Sequence, residues 1–301
     1  SSKKMPQETN LNVSPYFDDF NEDKNFKRVL FKPGSPVQAR ELTQLQTILQ
    51  NQIEKFGQHF FKEGAKIVPG NTTYTTPYES VQLENVYLGI PVSDYINQLN
   101  GRKITGLTSG VTAVVDTILS ARNSEKGNTT LYVKYVGSGS NDNSTSKFLD
   151  DELLSVDRDV ISANTTIAAG EPLASTLVSD ATSAGSAFSI AEGIYFTRGQ
   201  FVNVSSQRII LDQYSSTPNY RVGLYIDEQV INADINPSLN DNARGFTNFA
   251  APGADRFKIT TSLTKKSLDD FDDNNFIELA SIENGIIKSK KEKTEYNIIA
   301  D

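Results

Sequence analysis

Cysteine and tryptophan are absent from this chain, and histidine and methionine each occur once in 301 residues. Without cysteine there are no disulfides and no thiolate metal sites. A lone imidazole, His59, would need an all-carboxylate partner set to hold zinc; a structural place near a helix C-terminus is the favoured reading. No apolar run approaches the ~20 residues that span a bilayer, so membrane insertion is not expected. The opening SSKKMPQETN reads without the apolar core of a secretory signal. Basic residues are in deficit too. Lys and Arg number 29 against 37 Asp and Glu, a formal charge of −8, which gives no electrostatic footprint for nucleic acid. Catalytic motifs are equally scarce: G-x-x-x-x-G-K-[ST], G-x-S-x-G and H-E-x-x-H are all missing. S-x-x-K occurs at Ser144/Lys147 and Ser262/Lys265, without S-D-N or K-T-G companions. The chain is therefore expected to have no catalytic residue, no cofactor and no metal, and not to be an enzyme.

What is present begins with one strong helical signal, FKPGSPVQARELTQLQTILQNQIEKFGQHFFKEG, Phe31 to Gly64. Ser35 fits an N-cap, Pro36 the first helical position, and Gln38 completes an S-x-x-Q capping box. Leu42, Leu45, Leu49 and Phe56 fall at spacings of three, four and seven, with Gln52 at the intervening seam position. Ile48, Ile53 and Phe60 widen the stripe. Gly57 costs the helix about 1 kcal/mol relative to Ala, and Gly64 suits a C-cap. The stripe either covers one edge of the chain's own β core or packs on a partner, and spacing alone leaves both open.

The remainder reads as β. Length favours about two domains. Residues 1–34 form an extended arm in which Tyr16, Phe17 and Phe20 sit among acids; residues 35–64 are the helix. Residues 65–92 and 181–301 make the main β domain, into which 93–180 inserts a small barrel-like β module. Val111–Leu119, Thr130–Val136, Tyr220–Gln229 and Phe276–Ile282 alternate or are rich in β-branched residues, as strands do. The fold class expected is mainly β with one long N-terminal α-helix. Asn236–Pro252 is too long for a routine connection. The chain is expected to be the N-terminal part of something longer.

Three stretches together resemble one family: Val29–Gly64, Gly193–Val204 (GIYFTRGQFVNV) and Ser238–Lys258 (SLNDNARGFTNFAAPGADRFK). They are similar to the N-terminal region of tailed-bacteriophage virion structural proteins that carry an R-x-L-F-x-P-G-x-x-V-Q-A-R-E-L-x-Q-L-Q helix and an A-P-G-A-D-R element. The resemblance covers most of 1–265 and implies an assembly role in a phage tail, at the baseplate or a tail-fibre attachment. It also implies no enzymatic activity, other virion proteins as partners, and a homo-oligomer, preferably a trimer.

Several constellations were weighed against plainer readings. LDDFDDNN (Leu268–Asn275) has the oxygen chemistry that calcium prefers but not EF-hand spacing, and reads as a solvated loop. Asp18, Asp19, Glu22 and Asp23 lack a core element to fix them as a glycosidase pair. In APGADR, Pro252-Gly253 suits a type II turn with Gly253 at positive φ, and Arg256 is expected to pair Asp241 or Glu228. The assembly residues expected are Tyr16, Phe17, Phe20, Leu42, Leu45, Leu49, Phe56 and Arg256. The alternative function is receptor or glycan binding, with Tyr95, Tyr132 and Tyr135 stacking on sugars.

Overall fold

A computed structural model describes residues 7–68, 70–162 and 165–296. The ends of the expected arm and of the final apolar segment, residues 1–6 and 297–301, lie outside the described residues. The fold is mainly β with a single α-helix, α1 (Ala39–Phe60). Its start is three residues beyond the expected cap. Gln38 N donates to Glu41 Oε2 at 2.8 Å, closing a capping box, whereas Ser35 N is taken by Lys32 O in a preceding turn. Its end comes early because Phe61 turns extended to join the rings of Phe196 and Phe201. Gly64, the expected C-cap, sits beyond the helix at φ +77° and donates its N–H to Phe196 O.

The strands follow in order: β1 (Ala65–Val68), β2 (Thr72–Gln82), β3 (Val86–Tyr87), β4 (Ile90–Pro91), β5 (Lys103–Gly106), β6 (Thr112–Leu119) and β7 (Thr130–Gly137). Then come β8 (Leu153–Val156), β9 (Val160–Ser162), β10 (Thr165–Ile167), β11 (Pro172–Ser175) and β12 (Thr182–Ile190). The chain continues through β13 (Gly193–Thr197), β14 (Gln200–Val204), β15 (Gln207–Asp212) and β16 (Tyr220–Ile231). It finishes with β17 (Arg256–Lys266), β18 (Phe276–Glu283) and β19 (Ile286–Lys290).

An eight-stranded antiparallel sheet orders β11-β8-β5-β6-β7-β2-β12-β15. A three-stranded sheet (β1-β13-β14) and a four-stranded one (β17-β16-β18-β19) complete the larger layers. Among the described residues no sheet closes into a barrel, which corrects the expected shape of the small module. The reason lies in β2: its end pairs with β7 through Ser80, Val81 and Gln82, while Thr72–Thr75 and Tyr78–Val81 pair with β12 on either side of a register shift. The ladder of the small module therefore runs on into the main sheet instead of returning to itself.

Two hydrophobic cores result. One gathers Val81, Ile104, Val115, Leu131, Val133, Leu154 and Leu173 around β5–β8; the other gathers Phe188, Tyr195, Leu211, Val222, Leu224, Leu279 and Ile282. Between them the rings of Tyr78 and Tyr132 stack at 4.6 Å. The acidic LDDFDDNN loop is spent on cations of its own sheet. Arg221, buried in β16, takes Asp273 and Glu278 at 2.6 Å each and lies against the rings of Phe271 and Phe276. Among the described residues no group of three His, Asp or Glu side chains is placed to hold a metal ion.

Candidate assembly interface

α1 packs on the β13–β14 hairpin with the face opposite the Leu42/Leu45/Leu49/Phe56 stripe, and Ile48, expected to widen that stripe, lies on the packed face instead. The buried residues of α1 are Ile48, Asn51, Glu54 and Gly57, at a repeat of three. Gly57 makes the approach possible, since a Cβ there would lie 2.3 Å from the ring of Phe196. Gln50 Nε2 donates to Gly199 O at 2.9 Å, and Gly199 meets Glu54 closely enough that a Cβ would lie 2.6 Å from its Cγ. Burial raises the Glu54 carboxyl to about 7, opposed by a hydrogen bond from Gln58 and aided by the neighbouring charges of Glu22 and Glu63.

The outer face is the apolar one. Leu42, Leu45, Leu49, Ile53 and Phe56 are 52, 37, 59, 46 and 65% exposed. No charge interrupts them: Arg40 pairs Asp19 at 3.2 Å, Glu41 caps Gln38, Lys55 pairs Glu22, and Glu54 faces inward. Full burial of one such side chain is worth about 1.5–3 kcal/mol, so leaving five half-open forgoes several kcal/mol. The rings of Phe60 and Phe56 meet tilted, with centroids 4.9 Å apart, and His59 is exposed with its ring edge-on to Phe60.

The arm lies along α1 through its acids, not its aromatics. Thr47 Oγ1 donates to Asp18, which is buried. Arg40 and Gln44 donate to Asp19, and Asn51 and Lys55 to Glu22. The Lys55 hydrogen bond holds the exposed Glu22 carboxyl below its ordinary value. Arg40, Gln44, Thr47, Asn51 and Lys55 form one polar helical stripe, a signal present in the sequence alongside the apolar one. Tyr16 Oη donates to Asp255, which raises the phenol. Phe17 is 56% exposed at φ 47°, and Phe20 is half-buried.

Arg256 departs from expectation. Its guanidinium donates to Ala254 O at 2.7 Å and Asp255 O at 3.3 Å, on its own turn. Asp241 instead accepts from Ala243 N. Glu228 accepts from Glu8 N, Thr9 N and Thr9 Oγ1, with Arg198 Nε 3.4 Å away. Gly253 is needed for close approach and not for positive φ, since a Cβ would meet Leu239 O at 2.3 Å; the residues at positive φ in this loop are Gly245, at 88°, and Ala250, at 64°. The tyrosines expected to bind sugar are turned inward. Tyr95 is buried and donates to Leu173 O; Tyr132 is buried and donates to Gln213 O at 2.9 Å; Tyr135 leans on Phe148.

The site thus brings Leu42, Leu45, Leu49 and Phe56 into one uncharged outer face, while Tyr16 is held on Asp255 and Arg256 on its own turn. Among the described residues no helix is long and apolar enough to cross a membrane. No curated protein and no solved structure matches the chain. One family profile does, over residues 14–110 and 155–301, leaving out the stretch that holds β6, β7 and the start of β8. On that match the chain belongs to the family described as a domain of unknown function (DUF4815).

Proposed function

We propose that the chain is a non-enzymatic structural component of a tailed-phage virion, placed at the baseplate or a tail-fibre attachment. It acts by assembling, through the outer face of α1, with further copies of itself and with other tail proteins. Three copies is the preferred number. The observation that carries this reading is the contiguous apolar, uncharged stripe Leu42/Leu45/Leu49/Ile53/Phe56 left open on a helix whose opposite face is already occupied. Stripes of this size and rigidity are covered in proteins that assemble. The motif resemblance of Val29–Gly64 and of APGADR supports the virion setting.

Sedimentation velocity tests it. The unmodified chain sediments as an oligomer, and Leu49→Asp, which sets a charge in the apolar seam, sediments as a folded monomer. A monomeric unmodified chain, or unchanged assembly by Leu49→Asp, refutes the reading.

A further inference from the structure

The arm, residues 7–24, is seated on the body without being woven into it. Among the described residues no backbone–backbone hydrogen bond joins the two; the arm's own close on itself, Tyr16 N and Phe17 N on Val13 O and Asp18 N on Leu11 O. Its hold on the body runs through side chains instead: Asp18 on Thr47, Asp19 on Arg40 and Gln44, Glu22 on Asn51 and Lys55, Tyr16 on Asp255, and Thr9 on Glu228. No arm residue belongs to a hydrophobic core, so the cores are complete without it.

The connection from arm to α1 has the form of a hinge. Residues 26–37 are exposed apart from half-buried Val29, and the backbone hydrogen bond made among them is a turn of their own, Ser35 N to Lys32 O. Asn25 and Gly34 stand at φ 55° and 80°, and a Cβ on Gly34 would meet nothing within 4 Å. Phe26, Leu30, Phe31 and Val37 are nevertheless large and apolar, 65, 74, 46 and 55% open to solvent. Side chains of this kind, gathered on one bare segment, mark a surface that another covers.

The reach of the hinge extends to a neighbouring copy. Glu22 meets Asn51 and Lys55, about 20–26 Å along α1 from Gln38, and residues 26–37 fully extended span about 40 Å. A parallel helix packed beside α1 has its axis about 8–10 Å away and its far side about 5 Å beyond that. The matching point on that helix is then about 30 Å from Gln38, within the span of the hinge. We propose that the arm is exchanged between copies: residues 7–24 of one chain occupy the seat on α1 of the next, and residues 26–37 cross between them. The seat contacts are remade unchanged, because the same side chains meet in either arrangement. What is gained is cover for Phe26, Leu30, Phe31 and Val37, where the hinges run together at the N-terminal ends of the helices. The exchange rests on the self-association through the α1 stripe proposed above, and it leaves each seat incomplete without a neighbour.

The test places photoreactive benzoylphenylalanine at position 20 of the full chain, since Phe20 lines one cleft with Thr43, Gln46 and Thr47. Isotopically heavy and light copies are unfolded and refolded together before irradiation. Heavy–light crosslinks from position 20 to residues 43–50 are expected. Copies that meet only through the stripe hold their seats on opposite sides, because Thr47 and Asn51 lie about 200° round the helix from Leu45 and Leu49. Crosslinks confined within single chains of an oligomer therefore overturn the exchange and leave the α1 interface standing. In parallel, Asp18→Ala with Glu22→Ala, which loosens the seat and touches neither core, lowers self-association tenfold or more; unchanged association also overturns the exchange. Heavy–light crosslinks together with normal assembly by Leu49→Asp keep the exchange and remove the stripe as the interface. A monomeric unmodified chain removes both.

Discussion

The arm–helix region, residues 7–60, and the β module around β5–β8 are built in opposite senses. In the module Leu131, Val115, Ile104 and Leu173 are fully shut from solvent. In the arm–helix region the groups turned inward are Asp18, Ile48, Asn51, Glu54 and Gly57, while Leu42, Leu45, Leu49 and Phe56 point out. Both obey the same rule, that apolar surface is buried wherever a counterpart exists. The module finds its counterpart within the chain. The helix finds only a narrow seat there, one that Ile48, a glycine and hydrogen-bonded polar side chains fit, and its apolar face is left open.

The sharpest way to break this comparison is to cut each region where it differs. Leu131→Ala removes a core side chain and is expected to cost about 2–5 kcal/mol, read as a lowered denaturation midpoint. A loss under 1 kcal/mol would mean that the module is less tightly filled than its burial implies.

The next effect belongs to Glu54. Its carboxyl is raised to about 7 in the folded chain from an ordinary 4.5, so the folded state holds the proton more tightly than the unfolded one. Stability from this group is full below about pH 4.5, falls as pH rises through 7, and is flat above. The fall is about 1–3 kcal/mol. Glu54→Gln removes that slope, as followed by thermal denaturation between pH 4.5 and 8. An unchanged slope would show that α1 does not hold Glu54 against the hairpin.

Smaller still is the arm. Asp18→Ala deletes the acceptor of Thr47, and about 1 kcal/mol of local attachment goes with it. Faster amide exchange at residues 8–24 with an unaltered global midpoint is the expected result. The smallest change is expected of Leu49→Ala in dilute, monomeric protein, within ±0.5 kcal/mol, because the side chain touches little of its own chain. A loss comparable with that of Leu131→Ala would erase the distinction between the two regions.

Much of the β framework was readable in advance, because β6, β7 and β18 are runs of β-branched and aromatic residues bounded by turn residues. The helix was readable too, though not its first residue: S-x-x-Q at Ser35 and Q-x-x-E at Gln38 both satisfy a capping box, and only the turn at Lys32–Ser35 decides between them. The orientation of the helix was not readable from periodicity. Four leucine and phenylalanine positions on one face specify that the face is apolar, not which surface covers it. Gly57 carried the missing information, read from sequence as a cost to the helix and found to be the point where helix and hairpin meet. The arm acids were likewise visible as residues, but their partners lie 21 to 33 positions away on α1. The turn of APGADR misled because proline–glycine pairs suggest positive φ, whereas this glycine answers to a neighbouring carbonyl.

The long strand β2 has a mechanical consequence. It is laddered to β12 over Thr72–Thr75 and again over Tyr78–Val81, and to β7 at one end, so one strand belongs to both cores. A pull on one half is delivered to the other along the strand direction, in shear, where the bonds of each ladder carry the load together. The joint between the two halves is thereby two stiff segments in line, meeting at Thr76–Pro77 where the ladder is interrupted.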